Sequence, residues 1–340
     1  MNCAVKIMMG ILSDRLFNWV EYNQILTEYQ AGFRRNYSTV DNIYNLSSIV
    51  TLKLADKKKL YAFFVDFKAA FDSVSRKSLI YKLFHLGISY KFVRLIERIY
   101  SNTQSAVWTG EEFSEYFETS GAKQGCLLSP LLFALYINDL HDVLEGGLMV
   151  ENMNIRLLLY AVDIVILADD ITIMQNMIKN LENYCNMWNL TVNLNKSEML
   201  VFRNVGRLSQ HEKWFFNGEE VKISSVFNYL GVIFTPKLKF NKHIEKRNMQ
   251  AKNAINTTWQ NFIGKPEINL RMKWKVYLAV CRSIQSYAAQ VWGFGYFEEV
   301  DKLQRYFMKK ILNLPSFTPN YILMLETEAD ESYVYTLGVQ

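Results

Sequence analysis

Two acidic residues lie at the ends of apolar runs, in a pattern that suits metal-assisted chemistry. Asp66 follows the run YAFFV, and Asp163 lies between RLLLYAV and IVILA. Nucleotidyl transfer by divalent metals needs carboxylates from separate elements that converge on one point, and the ends of neighbouring strands supply such a point. An acid at the end of an apolar strand is more often a cap or a surface residue, so the pair alone leaves both interpretations open.

The elements that must position these acids alternate between strands and helices. Apolar and alternating runs predict a buried strand at 61–67, a hairpin at 104–119 and two strands, 156–160 and 164–167, joined by a turn at 161–163. Apolar residues at helical spacing predict helices within 11–56, 79–99, 128–136 and 174–188, and further helices from Pro236 to Leu312. This order predicts an α+β fold, in which helices cover one face of a largely antiparallel sheet.

Composition excludes several classes of protein. Half of the 340 residues are hydrophobic and 21% are charged, which excludes a disordered or collagen-like chain. The net charge, counted as basic residues (Lys and Arg) minus acidic residues (Asp and Glu), varies along the chain. It is 19 − 21 = −2 for residues 1–200, 19 − 8 = +11 for 201–320 and 0 − 4 = −4 for the last twenty. A polyanion would therefore be held by the basic third of the chain. The cysteines have no paired spacing and predict neither a zinc site nor a disulfide framework: Cys3, Cys126, Cys185 and Cys281.

The lengths of the apolar runs and the first residues of the chain indicate its cellular location. The longest apolar run covers about 12 residues, short of the roughly 20 that a membrane helix needs. The start MNCAVKIMMG lacks the small-residue cleavage site of a secretory signal. We therefore expect a protein of the nucleus or cytoplasm that is not secreted and has no membrane partner, while the sequence leaves its oligomeric state open.

Six segments, in this order, resemble the motifs of reverse transcriptases, and most closely those of the non-LTR (LINE-class) retrotransposons. They are QAGFRRNYSTVDNI (30–43), FVDFKAAFDSV (64–74), SGAKQGCLLSPLLFALYINDL (120–140), YAVDIVILA (160–168), LNKSEMLVF (194–202) and YLGVIF (229–234). YAAQVWGF and LQRYFMKKILNLP resemble the thumb of that group, so the resemblance covers nearly the whole chain. It implies the right-hand polymerase fold, with partial fingers at 1–60, a palm at 61–235 and a thumb-like basic helical region at 236–340.

The resemblance also implies roles for single residues in catalysis. Asp66 and Asp163 match metal-binding aspartates, and Lys196 matches a lysine that protonates pyrophosphate. Phe71 matches the bulky side chain that lies under the incoming sugar and rejects ribonucleotides. Core packing for Phe71 and solvated surface for Lys196 are the alternatives.

Further residues match nucleic-acid contacts of the family. The template and nucleotide pocket is implied for Arg34, Gly121, Lys123, Gln124 and Gly125, although the family most often has Arg where Lys123 stands. The primer grip is implied for Tyr229, Leu230 and Gly231, for which an ordinary hairpin is the alternative. Contacts to the nucleic-acid backbone are implied for Lys237, Lys239, Lys242, Lys246, Arg247 and Lys252, for which a solvated face is the alternative.

One departure from the family concerns the metal site. The family reads Tyr-x-Asp-Asp where this chain reads Tyr160-Ala161-Val162-Asp163, so Val162 replaces a ligand. Asp169 and Asp170 lie about a strand length away and cannot replace it. Valine cannot coordinate Mg²⁺, which prefers oxygen ligands. We expect weakened binding of Mg²⁺ or Mn²⁺.

The resemblance and its departures lead to one leading hypothesis and two alternatives. The leading hypothesis is an RNA-directed DNA polymerase domain that uses an RNA template, a DNA primer and dNTPs, impaired in this copy by Val162 and by missing upstream fingers. The family normally carries more fingers sequence and often an endonuclease domain, so the chain reads as a piece of a longer element. The alternatives are a catalytically dead remnant that binds RNA or RNA/DNA duplex, and a pseudogene product without a role.

Overall fold

The structure is a computed structural model that describes residues 3–101, 104–118, 121–122, 125–295 and 297–327. Internal contacts divide the chain into two units. The first comprises Met1–Asn42 and Ile49–Ser225, and the second comprises Ile43–Ser48 and Val226–Gln340. The division into fingers, palm and thumb stays a prediction.

The main sheet of the first unit contains the strands that were expected around the two acids. The strands up to residue 225 are β1 (Leu60–Val65), β2 (Gln104–Ser105), β3 (Phe117–Glu118), β4 (Leu148–Val150), β5 (Met153–Ile155), β6 (Leu157–Tyr160), β7 (Asp163–Ala168), β8 (Glu198–Phe202), β9 (Phe215–Phe216), β10 (Glu219–Glu220) and β11 (Ile223–Ser224). The main sheet has the order β11-β8-β1-β7-β6, and within it only the β11–β8 pair is parallel. The expected antiparallel sheet is therefore confirmed.

Strand β1 lies at the centre of this sheet because every one of its residues is apolar and buried. A strand that is buried on both faces has no polar face, and the continuous run LYAFFV has that character. It pairs antiparallel with β7 on one side and with β8 on the other. The chain leaves this central strand at Asp66, so the position of β1 also fixes the position of Asp66 at one end of the sheet.

Helices pack against this sheet through one apolar core. The helices of this part of the chain are α1 (Cys3–Tyr22), α2 (Thr39–Ala55), α3 (Ala70–Ser73), α4 (Arg76–His85), α5 (Tyr90–Ser101), α6 (Ser129–Tyr136), α7 (Leu140–Val143) and α8 (Ile171–Trp188). Phe63 of β1, Leu132 of α6 and Met177 of α8 belong to the same buried cluster. The α+β class predicted from the sequence is confirmed.

A buried lysine joins three of these helices. Lys82 of α4 is 6% exposed, and its ammonium donates to the Tyr136 carbonyl (2.6 Å), the Asp139 carboxylate (2.6 Å) and the Tyr184 hydroxyl (2.9 Å). The same ammonium lies 3.8 Å from the centre of the Trp188 ring. Burial lowers the pKa of Lys82 to about 8, although Asp139 opposes this shift.

The second unit contains one hairpin followed by helices. Its elements are β12 (Phe227–Tyr229), β13 (Val232–Phe234), α9 (Asn241–Thr258), a π-helical segment (Trp259–Ile263), α10 (Leu270–Val276), a second π-helical segment (Tyr277–Arg282), α11 (Ser283–Gln285), α12 (Ala289–Trp292), α13 (Glu298–Ile311) and α14 (Asn320–Thr327). Ile255, Tyr277 and Phe307 form its core, with the last two rings stacked at 4.5 Å. The helices expected after Pro236 are present. Among the residues that the structure describes, no helix is both long and apolar enough to cross a membrane.

Candidate active site

Asp66 and Asp163 come together at one end of the main sheet. The register of β1 and β7 pairs Phe64 with Val165 and Val65 with Ile164. Continuing it by one residue places Asp66 opposite Asp163. Residues directly opposite in an antiparallel pair have Cα atoms about 4.5–5.5 Å apart and point to the same face. The predicted convergence of two carboxylates therefore has a geometric basis in the sheet.

The electrostatics of Asp163 agree with this placement. The side chain is exposed, but the surrounding protein removes part of its hydration, and this raises the pKa of Asp163 above its ordinary value. The negative charge of Asp66 raises that pKa further. A carboxylate with a raised pKa beside a second carboxylate is a common feature of functional sites, because a cation between the two would relieve their repulsion.

Position 162 lies in the turn between β6 and β7. Tyr160 pairs with Asp163, so Ala161 and Val162 form the two-residue connection. Ala161 is buried and has φ 59°, while Val162 is half-buried and packs against the apolar core of the first unit. The side chain at 162 thus offers core contacts and no metal-binding oxygen.

A second turn, at residues 193–197, holds Asp66 from the other side. The Asp66 N–H donates to the Ser197 hydroxyl at 2.9 Å, and the Asn193 amide donates to the Asp66 carboxylate at 3.2 Å. The Asn193 N–H also donates to the Asp66 carbonyl at 2.8 Å. Lys196 is an exposed residue of this same turn, so it lies on a turn that contacts Asp66. Its role as a proton donor stays a prediction.

Sequence reasoning did not single out Asn193 and Ser197. Both lie in or beside the segment LNKSEMLVF, where the resemblance drew attention to Lys196. Ser197 is 0% exposed. A small polar residue between a turn and an apolar strand was the available signal, since a buried hydroxyl must find a hydrogen-bond partner.

Phe71 lies beside the loop that contains Gly121. Phe71 is half-buried in α3, 5.2 Å from the Phe133 ring, and its carbonyl accepts from the Ala122 N–H at 2.7 Å. A Cβ on Gly121 would lie 2.4 Å from the Phe71 carbonyl oxygen, and φ is 74° there, so only glycine fits. The contact with Phe133 gives Phe71 a place in the core, and its role beneath the sugar stays a prediction.

The rest of that loop is described only in part. Gly125 also has a positive φ, 71°, but nothing lies within 4 Å of the position of a Cβ. Lys123 and Gln124 lie outside the described residues. Their roles in the template and nucleotide pocket stay predictions.

Arg34 has a partner within the protein. Its guanidinium donates to both carboxylate oxygens of Glu21, at 3.0 and 3.1 Å, and lies over the Tyr37 ring at 4.5 Å. The side chain is 8% exposed. These contacts give Arg34 a structural role, and its predicted contact with template or nucleotide stays a prediction.

The segment predicted as the primer grip forms a tight hairpin in the second unit. Tyr229 pairs with Val232, and the connecting Leu230 and Gly231 both have positive φ, 45° and 87°. This combination is typical of type I′ hairpin turns. Tyr229 is 2% exposed, so it supports the turn from within the core.

Two side chains of the helical part hold this turn. Arg247 donates to the Gly231 carbonyl at 2.9 Å, and the Tyr287 hydroxyl donates to the Leu230 carbonyl at 2.8 Å. The guanidinium also lies over the Tyr287 ring at 4.6 Å. Arg247 therefore stabilises the hairpin in addition to any contact with nucleic acid.

The remaining basic residues of the second unit are mostly exposed. Lys252 lies 4.8 Å from the Tyr306 ring centre, and Lys246 is half-buried on α9. Exposed side chains at this end of the chain include Lys237, Lys239, Lys242 and Lys252. The exposure is compatible with a phosphate-binding surface and with a solvated face alike.

The acids after β7 have other partners. Asp169 forms an ion pair with Lys53 at 2.8 Å, and Asp170 caps α8 by accepting from the N–H groups of Thr172 and Ile173. Both lie beyond the far end of β7 from Asp163. Neither is available to replace the oxygen that Val162 lacks.

The donor set fits a divalent cation in part. Asp66 and Asp163 supply carboxylate oxygens, which Mg²⁺ and Mn²⁺ prefer. Within the described ranges, no group of three or more His, Cys, Asp and Glu side chains comes together in a metal-binding arrangement. Asp66 and Asp163 are the residues that would hold a divalent cation at this edge of the sheet.

Comparison with known sequences identifies the family. The profile of the family described as reverse transcriptase (RNA-dependent DNA polymerase) matches residues 1–234. The chain belongs to this family. Members of the family generally use divalent metal ions, which agrees with the carboxylate pair at Asp66 and Asp163.

Curated relatives of this reverse transcriptase domain come from mobile elements. The chain is 24% identical over 338 residues to the RNA-directed DNA polymerase from mobile element jockey of Drosophila funebris, covering 96% of this chain and 36% of the relative. It is 22% identical over 319 residues to the probable RNA-directed DNA polymerase from transposon X-element of Drosophila melanogaster, covering 88% and 33%. The chain thus spans about a third of these relatives. The predicted membership in the non-LTR group is confirmed.

A solved structure supports the fold of this reverse transcriptase domain. The telomerase of Candida albicans, in complex with a TWJ fragment of telomeric RNA, aligns with a TM-score of 0.56 and 10% identity. The alignment covers 96% of this chain and 59% of that chain. The likeness shows the right-hand polymerase fold that the motifs implied.

Proposed function

We propose that this reverse transcriptase domain is built for RNA-templated DNA synthesis and that Val162 impairs it. The observation that carries the proposal is the β1–β7 register, whose last pair, Val65 with Ile164, brings Asp66 and Asp163 to the same end of the sheet, where the charge of Asp66 raises the pKa of Asp163. The substrates of the proposal are an RNA template, a DNA primer and dNTPs, and its cofactor is Mg²⁺ or Mn²⁺. We further propose that the protein acts in the nucleus or cytoplasm, where these nucleic acids occur.

The side chains of this chain would have distinct roles in that reaction. Asp66 and Asp163 would hold a divalent cation, which supplies positive charge to activate the primer hydroxyl and to offset charge on the phosphates. Lys196 would donate a proton to the departing pyrophosphate. Phe71 would occupy the space beneath the sugar and exclude a 2′-hydroxyl. Arg34, Gly121, Lys123, Gln124 and Gly125 would line the template and nucleotide pocket.

The second unit would hold the duplex product. The hairpin of Tyr229, Leu230 and Gly231 is rigid because Arg247 and Tyr287 bind its carbonyl groups. A rigid turn at this position would support the primer end. The lysines exposed on and before α9 would neutralise backbone phosphates.

Primer extension on an RNA template tests this proposal. We expect extension close to background for the present chain with Mg²⁺ or Mn²⁺, and clear metal-dependent extension for Val162→Asp. The double variant Val162→Asp with Asp66→Asn is the control, and it should lose the gain. Extension by the present chain at the rate of an intact family member would show that Val162 does not impair it. Binding of RNA/DNA hybrid without extension by either protein would support a remnant that only binds nucleic acid.

A further inference from the structure

A short segment near the amino end attaches to the sheet just before the active-site turn. The Leu159 N–H donates to the Tyr29 carbonyl and the Ala31 N–H donates to the Leu159 carbonyl, both at 2.9 Å. Gln30 and Leu159 thus form a parallel bridge. Because β6 is the last strand of the main sheet, this segment covers its otherwise open edge.

The Gln30 side chain extends this attachment to the turn itself. Its Oε1 accepts from the Ala161 N–H at 3.0 Å and from the Gly32 N–H at 2.8 Å. Gln30 is 0% exposed, so water does not compete for these two donors. One amide oxygen therefore joins segment 29–32 to the turn that carries position 162.

The turn needs such support because of its backbone conformation. Ala161 has φ 59°, in the left-handed region that alanine rarely adopts. Residues in this conformation keep it only where their surroundings fix it. Gly32 packs so closely here that a Cβ on it would lie 2.0 Å from the Ala161 nitrogen. Contacts from Gln30 and Gly32 together leave the turn little freedom.

We propose that Gln30 is a positioning residue, which fixes the β6–β7 turn so that Asp163 faces Asp66. The inference rests on the proposed function, since the geometry matters for a cation that both carboxylates share. The Gln30 Nε2 is buried and has no hydrogen-bond partner among the described residues. The site therefore uses the acceptor oxygen of this side chain, which a glutamate would also provide and a methionine would not.

Amide hydrogen exchange on the full chain tests the position of the turn without any need for catalysis. Gln30→Met keeps the volume and removes the acceptor of two hydrogen bonds, so we expect the Ala161 amide to exchange at least about tenfold faster, as for a buried donor left without its acceptor. The amide of Ala62, in the middle of β1, should change much less.

A matched control separates positioning from general destabilisation. Tyr61→Phe removes a buried hydrogen bond, from Tyr61 to Glu212 at 3.1 Å, near the opposite end of β1. It should leave the ratio of Ala161 to Ala62 exchange unchanged. The proposal is overturned if Gln30→Met leaves this ratio unchanged or if Tyr61→Phe raises it equally.

A second measurement connects the turn to the metal site. In a Val162→Asp background we expect Gln30→Met to weaken Mn²⁺ binding, measured by titration calorimetry, by about fivefold to tenfold, because the turn loses the hydrogen bonds that position Asp163. Equal Mn²⁺ affinity with and without Gln30→Met would overturn the positioning role and leave the proposed function standing. The expected exchange results could also occur together with no primer extension by Val162→Asp. This combination would support the positioning role and count against the proposed function.

Discussion

Asp66 and Asp163 lie one residue beyond the last pair of the β1–β7 ladder, at the same end of the sheet, and the charge of Asp66 raises the pKa of Asp163. The backbone of Asp66 is fixed by hydrogen bonds to Asn193 and Ser197. The register of the sheet brings the two acids to one end, where the charge of Asp66 disfavours the ionised form of Asp163. A site of this kind is less stable without a cation than with one, because a ligand that binds only the folded state stabilises it.

The first prediction is that Asp163→Asn stabilises the protein in chelator at neutral pH. The pKa of Asp163 is higher in the folded state than in the unfolded state, where it is about 3.8. Between these two pH values the folded protein binds more protons than the unfolded protein. Stability therefore falls as pH rises through this window, and asparagine removes the fall. Denaturant unfolding at several pH values should show a higher free energy of unfolding for Asp163→Asn than for the parent protein. This difference should disappear at pH values below the window. Asp14→Asn, at an exposed ion pair with Arg35, is the control for the loss of one carboxylate and should not reproduce the gain in stability.

The second prediction is that Val162→Asp makes stability depend on metal. The new carboxylate replaces apolar contacts and adds repulsion near Asp66 and Asp163, so its melting temperature in chelator should fall by a few degrees, as for a loss of about 1 kcal/mol. Millimolar Mg²⁺ should restore part of this loss in the variant and should affect the present chain less. Absence of any Mg²⁺ stabilisation in the variant would show that position 162 does not converge on Asp66.

The third prediction concerns Phe71 and needs a background that polymerises. In Val162→Asp, we expect Phe71→Ala to relax discrimination against ribonucleotides, measured as the ratio of ribonucleotide to deoxynucleotide incorporation. Loss of the Phe133 contact should also cost about 1–3 kcal/mol of stability, less than for a fully buried phenylalanine. Leu79→Ala, which truncates a side chain in the same core, is the control for destabilisation alone. Unchanged discrimination would assign Phe71 to core packing.

The fourth prediction is that Lys82 makes the protein more stable as pH rises above 8. Burial lowers the folded-state pKa of Lys82 to about 8, against 10.5 for an ordinary lysine. Between these values the unfolded state binds more protons, so the free energy of unfolding rises with pH, by at most about 3 kcal/mol.

Lys82→Met should remove that rise, which unfolding curves at pH 7.5, 9 and 10 would reveal. Lys91→Met, at an exposed position of α5, is the control and should keep the rise. Equal pH dependence in Lys82→Met and the parent protein would contradict the burial of a charged ammonium at this position.

The fifth prediction is that charge reversal on α9 weakens binding to nucleic acid without regard to sequence. Lys242→Glu with Lys246→Glu should lower affinity for RNA/DNA hybrid and reduce the slope of log K against log salt by about 0.9 for each lost phosphate contact. Lys91→Glu with Lys77→Glu changes the same charge on exposed residues of the first unit and serves as the control. Equal losses in the two double variants would reflect net charge rather than a binding surface on α9.

The elements that carry Asp66 and Asp163 could be predicted from the sequence because their signals are local. Apolar runs define β1 and β7, and the short spacing between Tyr160 and Asp163 implies a turn. Helical spacing likewise predicts α8, whose amino end is capped by Asp170.

The contacts that stabilise the site could not be predicted, since they join residues far apart in sequence. Gln30 binds the Ala161 N–H across 131 residues, and Asn193 binds Asp66 across 127. No local pattern marks Glu21 as the partner of Arg34. Polar side chains reveal their partners only once the chain has folded, because geometry decides which donor each acceptor meets.

Val162 affects which kind of selection could act on this chain in a cell. Its side chain packs against the core of the first unit, in a turn that Gln30 and Gly32 hold by contacts that involve no metal. Chaperones and proteases act on unfolded chains, so they select for residues that keep the protein folded. Under the proposed function, a substitution here would remove a metal ligand and keep these core contacts, so selection for foldability alone would not eliminate it.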